Sequence, residues 1–139
     1  MITVDTSAMI AIILNEPERA AFLAILDKAP VILMSSTSLV ETRLVAWSRG
    51  QQSLIDEVNA LILAYGIEIA PTGGPDADCA HEANVTYGKG SGHPAQLNFG
   101  DLFSYALAKS RDIPLLFKGQ DFAQTDIGCA SVEDRKSVV

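Results

Sequence analysis

The sequence predicts an α/β fold built on a short parallel sheet with helices on both faces. Two observations carry that prediction. Short, nearly all-apolar runs at residues 2–4, 31–34, 67–70 and 115–117 alternate with stretches of helical periodicity, in the order β-α-α-β-α-α-β-α-α-β. The runs do not alternate apolar with polar residues, so each reads as a strand buried on both sides, as parallel strands usually are.

The first strand ends at Asp5, and Thr6 and Ser7 are N-cap types opening a helix over 8–14. Glu16-Pro17-Glu18 restarts a helix with proline in its first turn, running to about Asp27. After the second strand, Ser35-Ser36-Thr37-Ser38 supplies caps for a helix to Arg49, which Gly50 ends. Residues 51–65 form another amphipathic helix, with Leu54, Val58, Leu61 and Ile62 on one face. The third strand leads through a turn at 71–75 into a helix over 76–87, and 88–94 is a glycine-rich loop. Asn98 caps a helix over 99–110, Pro114 introduces the fourth strand, and a last short strand is expected near 128–132. Residues 1–132 read as a single domain and 133–139 as a polar, frayed tail.

The chain has 139 residues, enough for one domain with a real core. No apolar stretch is long enough to span a bilayer, and no signal-peptide pattern is visible, so a cytoplasmic location is expected. Cys79 and Cys129 fit no metal-ligand spacing and read as buried thiols. A net charge of −7 argues against gripping nucleic acid by bulk charge. It leaves room for a local basic rim, and it suits a basic protein partner.

Four acids stand out: Asp5 in ITVDTSAMIAI, Glu41 in SLVETRLV, Asp101 in LNFGDLFSYALA and Asp121 in PLLFKGQDFA. Each lies where a strand ends or a helix begins, among apolar or small residues. In open α/β sheets, sites form beyond the carboxyl ends of the strands, and all four acids fall on that edge. Singly, each has an ordinary structural role. Asp5 can cap the next helix, Asp101 can pair with Asn98 in a capping box, Asp121 can cap a turn, and Glu41 can be a solvated helix residue. Together they would repel, at about 4 kcal/mol per pair for ~4 Å and an effective dielectric of ~20. The natural compensator of clustered carboxylates is a hard divalent cation, Mg²⁺ or Mn²⁺, and that points to metal-assisted phosphodiester chemistry.

Three segments carry a family resemblance: VDTSAMIAIILNEPE, SSTSLVETRLV and YGKGSGHPAQLNFGDLFSYALAKSRDIPLLFKGQDFAQTDI. Through them nearly the whole chain resembles PIN-domain ribonucleases, and among these the VapC-type toxins of toxin–antitoxin pairs. The resemblance implies a three-layer α/β sandwich with a central parallel sheet of four to five strands. It implies a metal-dependent endoribonuclease whose acidic site maps onto Asp5, Glu41, Asp101 and Asp121, with Asp126 of QTDI as the reserve for the fourth acid. Asp5, Asp101 and Asp121 are the implied Mg²⁺ or Mn²⁺ ligands, and Thr6 of the DTS motif supports them. Glu41 would orient or deprotonate the attacking water, or hold a second metal. An RNA substrate, a cognate antitoxin and a homodimer are the implied partners.

Lys89, Lys118 and His93 are candidates for contacts to RNA phosphates, although loop lysines are usually only solvated and His93 can simply pack in its loop. Trp47 is expected in the core, with a partner face as the other reading. GKGSG lacks the spacing of a P-loop and its closing Lys-Ser/Thr. Two rivals are carried forward: a catalytically silent PIN-like module that binds RNA or protein, and a metal-dependent phosphohydrolase acting on small substrates in a narrow, closed pocket.

Overall fold

The computed structural model describes residues 1–132. Its strands are β1 (Ile2–Val4), β2 (Ile32–Ser35), β3 (Glu68–Ala70) and β4 (Leu115–Leu116), all parallel, in the order β3-β2-β1-β4. The helices are α1 (Thr6–Ile13), α2 (Arg19–Lys28), α3 (Ser36–Tyr65), α4 (Gly74–Tyr87) and α5 (Phe99–Arg111), and a 3₁₀ turn spans Phe122–Gln124. The predicted element order and parallel sheet are both present. The expected last strand is reduced to a single bridge between Leu115 and Cys129, held by Leu115 N–H to Gly128 O (2.9 Å) and Ala130 N–H to Leu115 O (2.9 Å). The proposed tail, 133–139, lies outside the described residues.

Two-sided burial explains the near-continuous apolar runs of β1, β2 and β4, whereas β3, expected to be buried on both sides, is an edge strand in which only Ala70 is buried. Ile2, Val4, Ile32, Met34 and Leu116 join Met9 and Ile12 of α1, Phe22 and Leu26 of α2, and Val58 of α3 in one core. Leu115 turns the other way, packing with α4 and α5 residues such as Ala83, Leu102 and Tyr105. Leu33 meets Leu107 of α5. The chain is thus three layers, with α1–α3 on one face of the sheet and α4–α5 on the other. Each fully buried large side chain of this kind is worth about 1.5–3 kcal/mol of burial.

The predicted break between two helices lies inside α3, one residue later than expected. An added Cβ on Gly50 would stand 2.5 Å from Leu54 Cγ, so glycine is needed there for close packing. The left-handed backbone falls instead on Gln51 (φ 52°, ψ −138°). α3 then ends in the expected glycine, Gly66, at φ 61°. Of the two thiols expected to be buried, Cys79 is half-buried and Cys129 exposed, because both lie in the outer shell.

Strand order positions the site. From β1 the chain moves outward to β2 and β3, then returns past β1 to place β4 on its other side. The switch point of the sheet therefore lies between β1 and β4, and ligands of open α/β sheets bind at such crevices. Asp5 leaves β1 at this point, its N–H bonded to Leu116 O at 2.9 Å. Among the described residues no helix is long and apolar enough to cross a membrane.

Candidate active site

An open pocket at this edge is lined by Asp5, Thr6, Ser7, Ile10, Glu16, Glu41, Val45, Asn98, Asp101, Lys118 and Gly119. Three of the four predicted acids share it, drawn from β1, α3 and α5.

Asp5 is only 2% exposed. It is the N-cap of α1: its Oδ2 accepts the Ser7 N–H at 2.9 Å, and its Oδ1 accepts Ser104 Oγ–H at 2.5 Å. Asp101 sits at the third position of α5 and completes a capping box with Asn98. Asn98 Oδ1 accepts the Asp101 N–H at 2.9 Å, while Asp101 Oδ2 accepts the Asn98 N–H at 3.0 Å. Capping therefore does not take either carboxylate out of the pocket. In Asp101, the capping box occupies one carboxylate oxygen and leaves the other uncommitted to the cap.

Glu41 reaches the pocket from the second turn of α3. Its carboxylate lies against Gly100, in the space that a side chain at position 100 would take. Burial pushes the Glu41 carboxyl above its ordinary value; the Thr6 hydroxyl opposes this and the charge of Asp5 adds to it. Thr6 has one proton to give, and its Oγ1 also lies 3.1 Å from Ser38 O. Turning that proton to Glu41 leaves Ser38 O still bonded by Thr42 Oγ1–H at 2.8 Å.

Asp101 is pushed up to about 6, first by burial, against the pull of the Asn98 N–H, and then by the charges of Asp5, Glu41 and Asp121. Asp121 is exposed, on the loop after β4, and it does not line the pocket, but its field reaches Asp101. Asp126, the reserve, is engaged elsewhere. Its Oδ1 accepts Tyr105 Oη–H at 2.7 Å, and its Oδ2 pairs with Lys109 Nζ at 2.7 Å. Lys109 in particular holds the Asp126 carboxyl below its ordinary value, with burial opposing and Tyr105 assisting.

The three candidates for contacts to RNA phosphates are placed differently. Lys118 is on the pocket rim, tethered to Glu16 (3.1 Å) and Glu18 (3.3 Å). Lys89 is exposed on the loop after α4 and does not line the pocket. His93 packs edge-on against Tyr87 (4.8 Å between ring centroids), and its Nδ1 accepts the Ala95 N–H at 3.0 Å.

Four residues of the site were not picked out from sequence: Ser38, Thr42, Gly100 and Ser104. Helical spacing would have flagged two of them. Ser104 is three residues after Asp101 and Ser38 is three before Glu41, so each shares a helix face with a predicted acid. Trp47 is not in the core as expected. It is 53% exposed, in line along α3 with Val40 (56%) and Leu44 (66%), and Phe99 (73%) stands at the start of α5. Val40, Leu44 and Phe99 line a groove of about 450 Å³ that borders Glu41 and Gly100. Trp47 lies on the outward stripe of α3, facing away from the sheet.

The donor set suits a hard cation. It is all oxygen, two of its carboxyls are lifted by burial and mutual repulsion, and no cationic side chain is among the causes. Among the described residues no three acidic, histidine or cysteine side chains form a ready-made cage.

A three-layer parallel α/β fold with carboxylates gathered at its switch point defines the structural class, and comparison with known proteins places the chain within it. The family model described as "PIN domain" matches residues 2–128. Ribonuclease VapC42 of Mycobacterium tuberculosis is 40% identical over 124 residues, covering 89% of this chain and 95% of the relative. Ribonuclease VapC30 of the same organism is 40% identical over 129 residues, 93% of this chain and 98% of the relative. Among solved structures, VapC20 of M. tuberculosis, described as a sarcin-ricin loop cleaving toxin, superposes with a TM-score of 0.75 at 21% identity, covering 91% of this chain and 96% of that one. FitAcB from Neisseria gonorrhoeae superposes with a TM-score of 0.67 at 19% identity, covering 93% and 96%. The chain belongs to the PIN-domain family, and within it to the VapC ribonucleases.

Proposed function

We propose that this protein is a metal-dependent endoribonuclease acting as the toxin of a toxin–antitoxin pair. The observation that carries it is the gathering of Asp5, Glu41 and Asp101 in one open pocket beside the β1–β4 switch point. Relatives named as ribonucleases, at 40% identity over most of the chain, support the same reaction class.

Asp5 and Asp101 would hold Mg²⁺ or Mn²⁺, with Asp121 joining directly or through water. Such a cation, when bound, polarises a phosphate oxygen and lowers the pKa of water. Glu41 accepts a hydrogen bond, and in the reaction a proton, from the water that attacks phosphorus. Burial and the neighbouring charge of Asp5 raise its basicity for that task. Thr6 steadies Glu41, and Lys118 at the rim offers a charge to an RNA phosphate once it loosens from Glu16 and Glu18. The open cleft accommodates a polymer better than the closed pocket that a small-molecule phosphohydrolase requires.

A cognate antitoxin and a homodimer complete the proposal, together with a cytoplasmic location where RNA is available. Complexes of related fold with antitoxins, including a toxin–antitoxin complex from Klebsiella pneumoniae (TM-score 0.65), support the first partner. The exposed apolar stripe Val40-Leu44-Trp47 supports an interface of one kind or the other. An antitoxin arginine laid among the acids would inhibit by taking the cation's place.

The test is cleavage of a mixed tRNA and rRNA pool by purified protein with Mg²⁺, Mn²⁺ or EDTA, beside Asp5→Asn. Discrete fragments that need metal and vanish in the variant, with its fold intact by circular dichroism, are expected. Full activity in Asp5→Asn would sink the proposal. RNA binding without cleavage under any metal would favour the silent module instead.

The fourth acid has its own experiment. Asp126→Asn is expected to cleave within about twofold of wild type and to lose at most about 1 kcal/mol, as exposed ion pairs usually do. Asp121→Asn is expected to slow cleavage at limiting metal. The reverse ranking would move the fourth position to Asp126.

A further inference from the structure

Asp5 is the most enclosed acid of the site, and its orientation is set from α5. Ser104 Oγ lies 2.5 Å from Asp5 Oδ1, and Ser104 is fully buried. Ser38 Oγ lies 2.9 Å from Ser104 Oγ. An ionised carboxylate only accepts, so the Ser104 proton points to Asp5 and the Ser38 proton must point to Ser104. The hydroxyls therefore form a directed chain, Ser38 to Ser104 to Asp5, each donor strengthening the next. Ser7 N–H holds the other oxygen at 2.9 Å. With one donor on each oxygen, the carboxylate plane of Asp5 cannot turn, and each oxygen keeps lone-pair capacity for a cation.

The same face of α5 serves two neighbouring acids. Asp101 and Ser104 are three residues apart and Gly100 and Ser104 four apart, so one helical stripe carries the gap that receives Glu41, the Asp101 carboxylate and the donor to Asp5. The Asn98 capping box fixes where this stripe begins.

Resting on the metal-site reading above, we propose that Ser104 is a positioning residue that aims Asp5 at the divalent cation, with Ser38 setting its proton. Partners that orient metal ligands typically contribute 10–100-fold in affinity. Ser104 touches neither substrate nor metal in this role, and it acts through Asp5 alone.

The experiment titrates Mn²⁺ calorimetrically into wild type and into Ser104→Ala, Ser104→Cys and Ser104→Thr, with melting temperature recorded metal-free. Ser104→Ala and Ser104→Cys are expected to bind Mn²⁺ about tenfold more weakly. Ser104→Thr, which keeps the hydroxyl, is expected to stay within about threefold of wild type, well inside that loss. Cysteine matches serine in size but donates weakly, so its failure beside threonine's success ties the loss to the hydroxyl. Wild-type affinity in Ser104→Ala overturns the proposal. So does an equal loss in the Thr and Ala variants, which would assign Ser104 to packing. The two readings fail separately: wild-type protein that takes up no Mn²⁺ overturns the metal site itself, whereas unchanged binding in Ser104→Ala overturns only the part given to Ser104.

Discussion

Asp101→Asn is expected to slow RNA cleavage severely and, at the same time, to make the metal-free protein more stable. Both effects follow from the crowding around the residue. Burial together with the charges of Asp5, Glu41 and Asp121 lifts its carboxyl to about 6, so the charged form is disfavoured in the folded state. Asparagine removes that charge. Its amide oxygen can still accept the Asn98 N–H, so the cap of α5 survives. After allowance for screening of a carboxyl that is partly solvated, the gain is about 1 kcal/mol, or a few degrees in melting temperature. On the proposed metal site, losing one ligand where the cation would stabilise transition-state charge by several kcal/mol should lower the cleavage rate by about 10²–10³-fold. A fall in both stability and activity would instead mean that Asp101 serves the fold first.

The pH dependence has a definite sign. The folded-state value of Asp101 lies above its ordinary one, so between pH ~4 and ~6 the native chain holds a proton that the unfolded chain has released. Stability from this group is therefore present in acid and lost as pH rises through about 6. The difference in melting temperature between Asp101→Asn and wild type should vanish near pH 4 and be fully developed by pH 7, roughly the span between the two values. Asp126, whose carboxyl is held low by Lys109, acts in the opposite sense in both proteins and cancels in the difference. Added Mg²⁺ should raise the wild-type melting temperature and leave the variant nearly unmoved. Cleavage at limiting metal should decline below about pH 6, and saturating metal should shift that decline to lower pH.

The layer architecture was legible because short continuous apolar runs mark strands buried in a parallel sheet, while a 3.6-residue period marks the helices that cover it. The carboxyl-edge placement of the acids followed from the same source, since each sits next to a strand end or a helix start. Pairings between distant segments were not legible. Ser104 contacts Asp5 across 99 positions, and a serine in SYALA reads as a neutral small residue until β1 is laid beside α5. Asp126 shows the same difficulty. Its sequence setting resembles that of Asp121, and only the fold shows it turned to Tyr105 and Lys109. Trp47 was misplaced because apolar character predicts burial on average, while its position on α3 follows the stripe that faces away from the sheet.

Gly100→Ala is expected to leave the protein as stable as wild type while lowering cleavage by about 10–100-fold, the cost of displacing a catalytic group by about an ångström. Position 100 lies in the first turn of α5 with no left-handed backbone, so glycine is not required there for conformation. Alanine is the better helix former, by up to about 1 kcal/mol. What glycine provides is room, because the Glu41 carboxylate occupies the place of the missing Cβ. The end of a glutamate side chain can swing away at little cost to the fold, but it then leaves Thr6 and the pocket. Stability and activity should therefore separate in this variant, which an ordinary packing defect would not allow. The mechanism is checked by a double-mutant cycle. If Gly100 acts only through Glu41, adding Gly100→Ala to Glu41→Gln should lower the rate no further. Additive losses would show that the glycine serves something else, such as the approach of the RNA backbone to the first turn of α5.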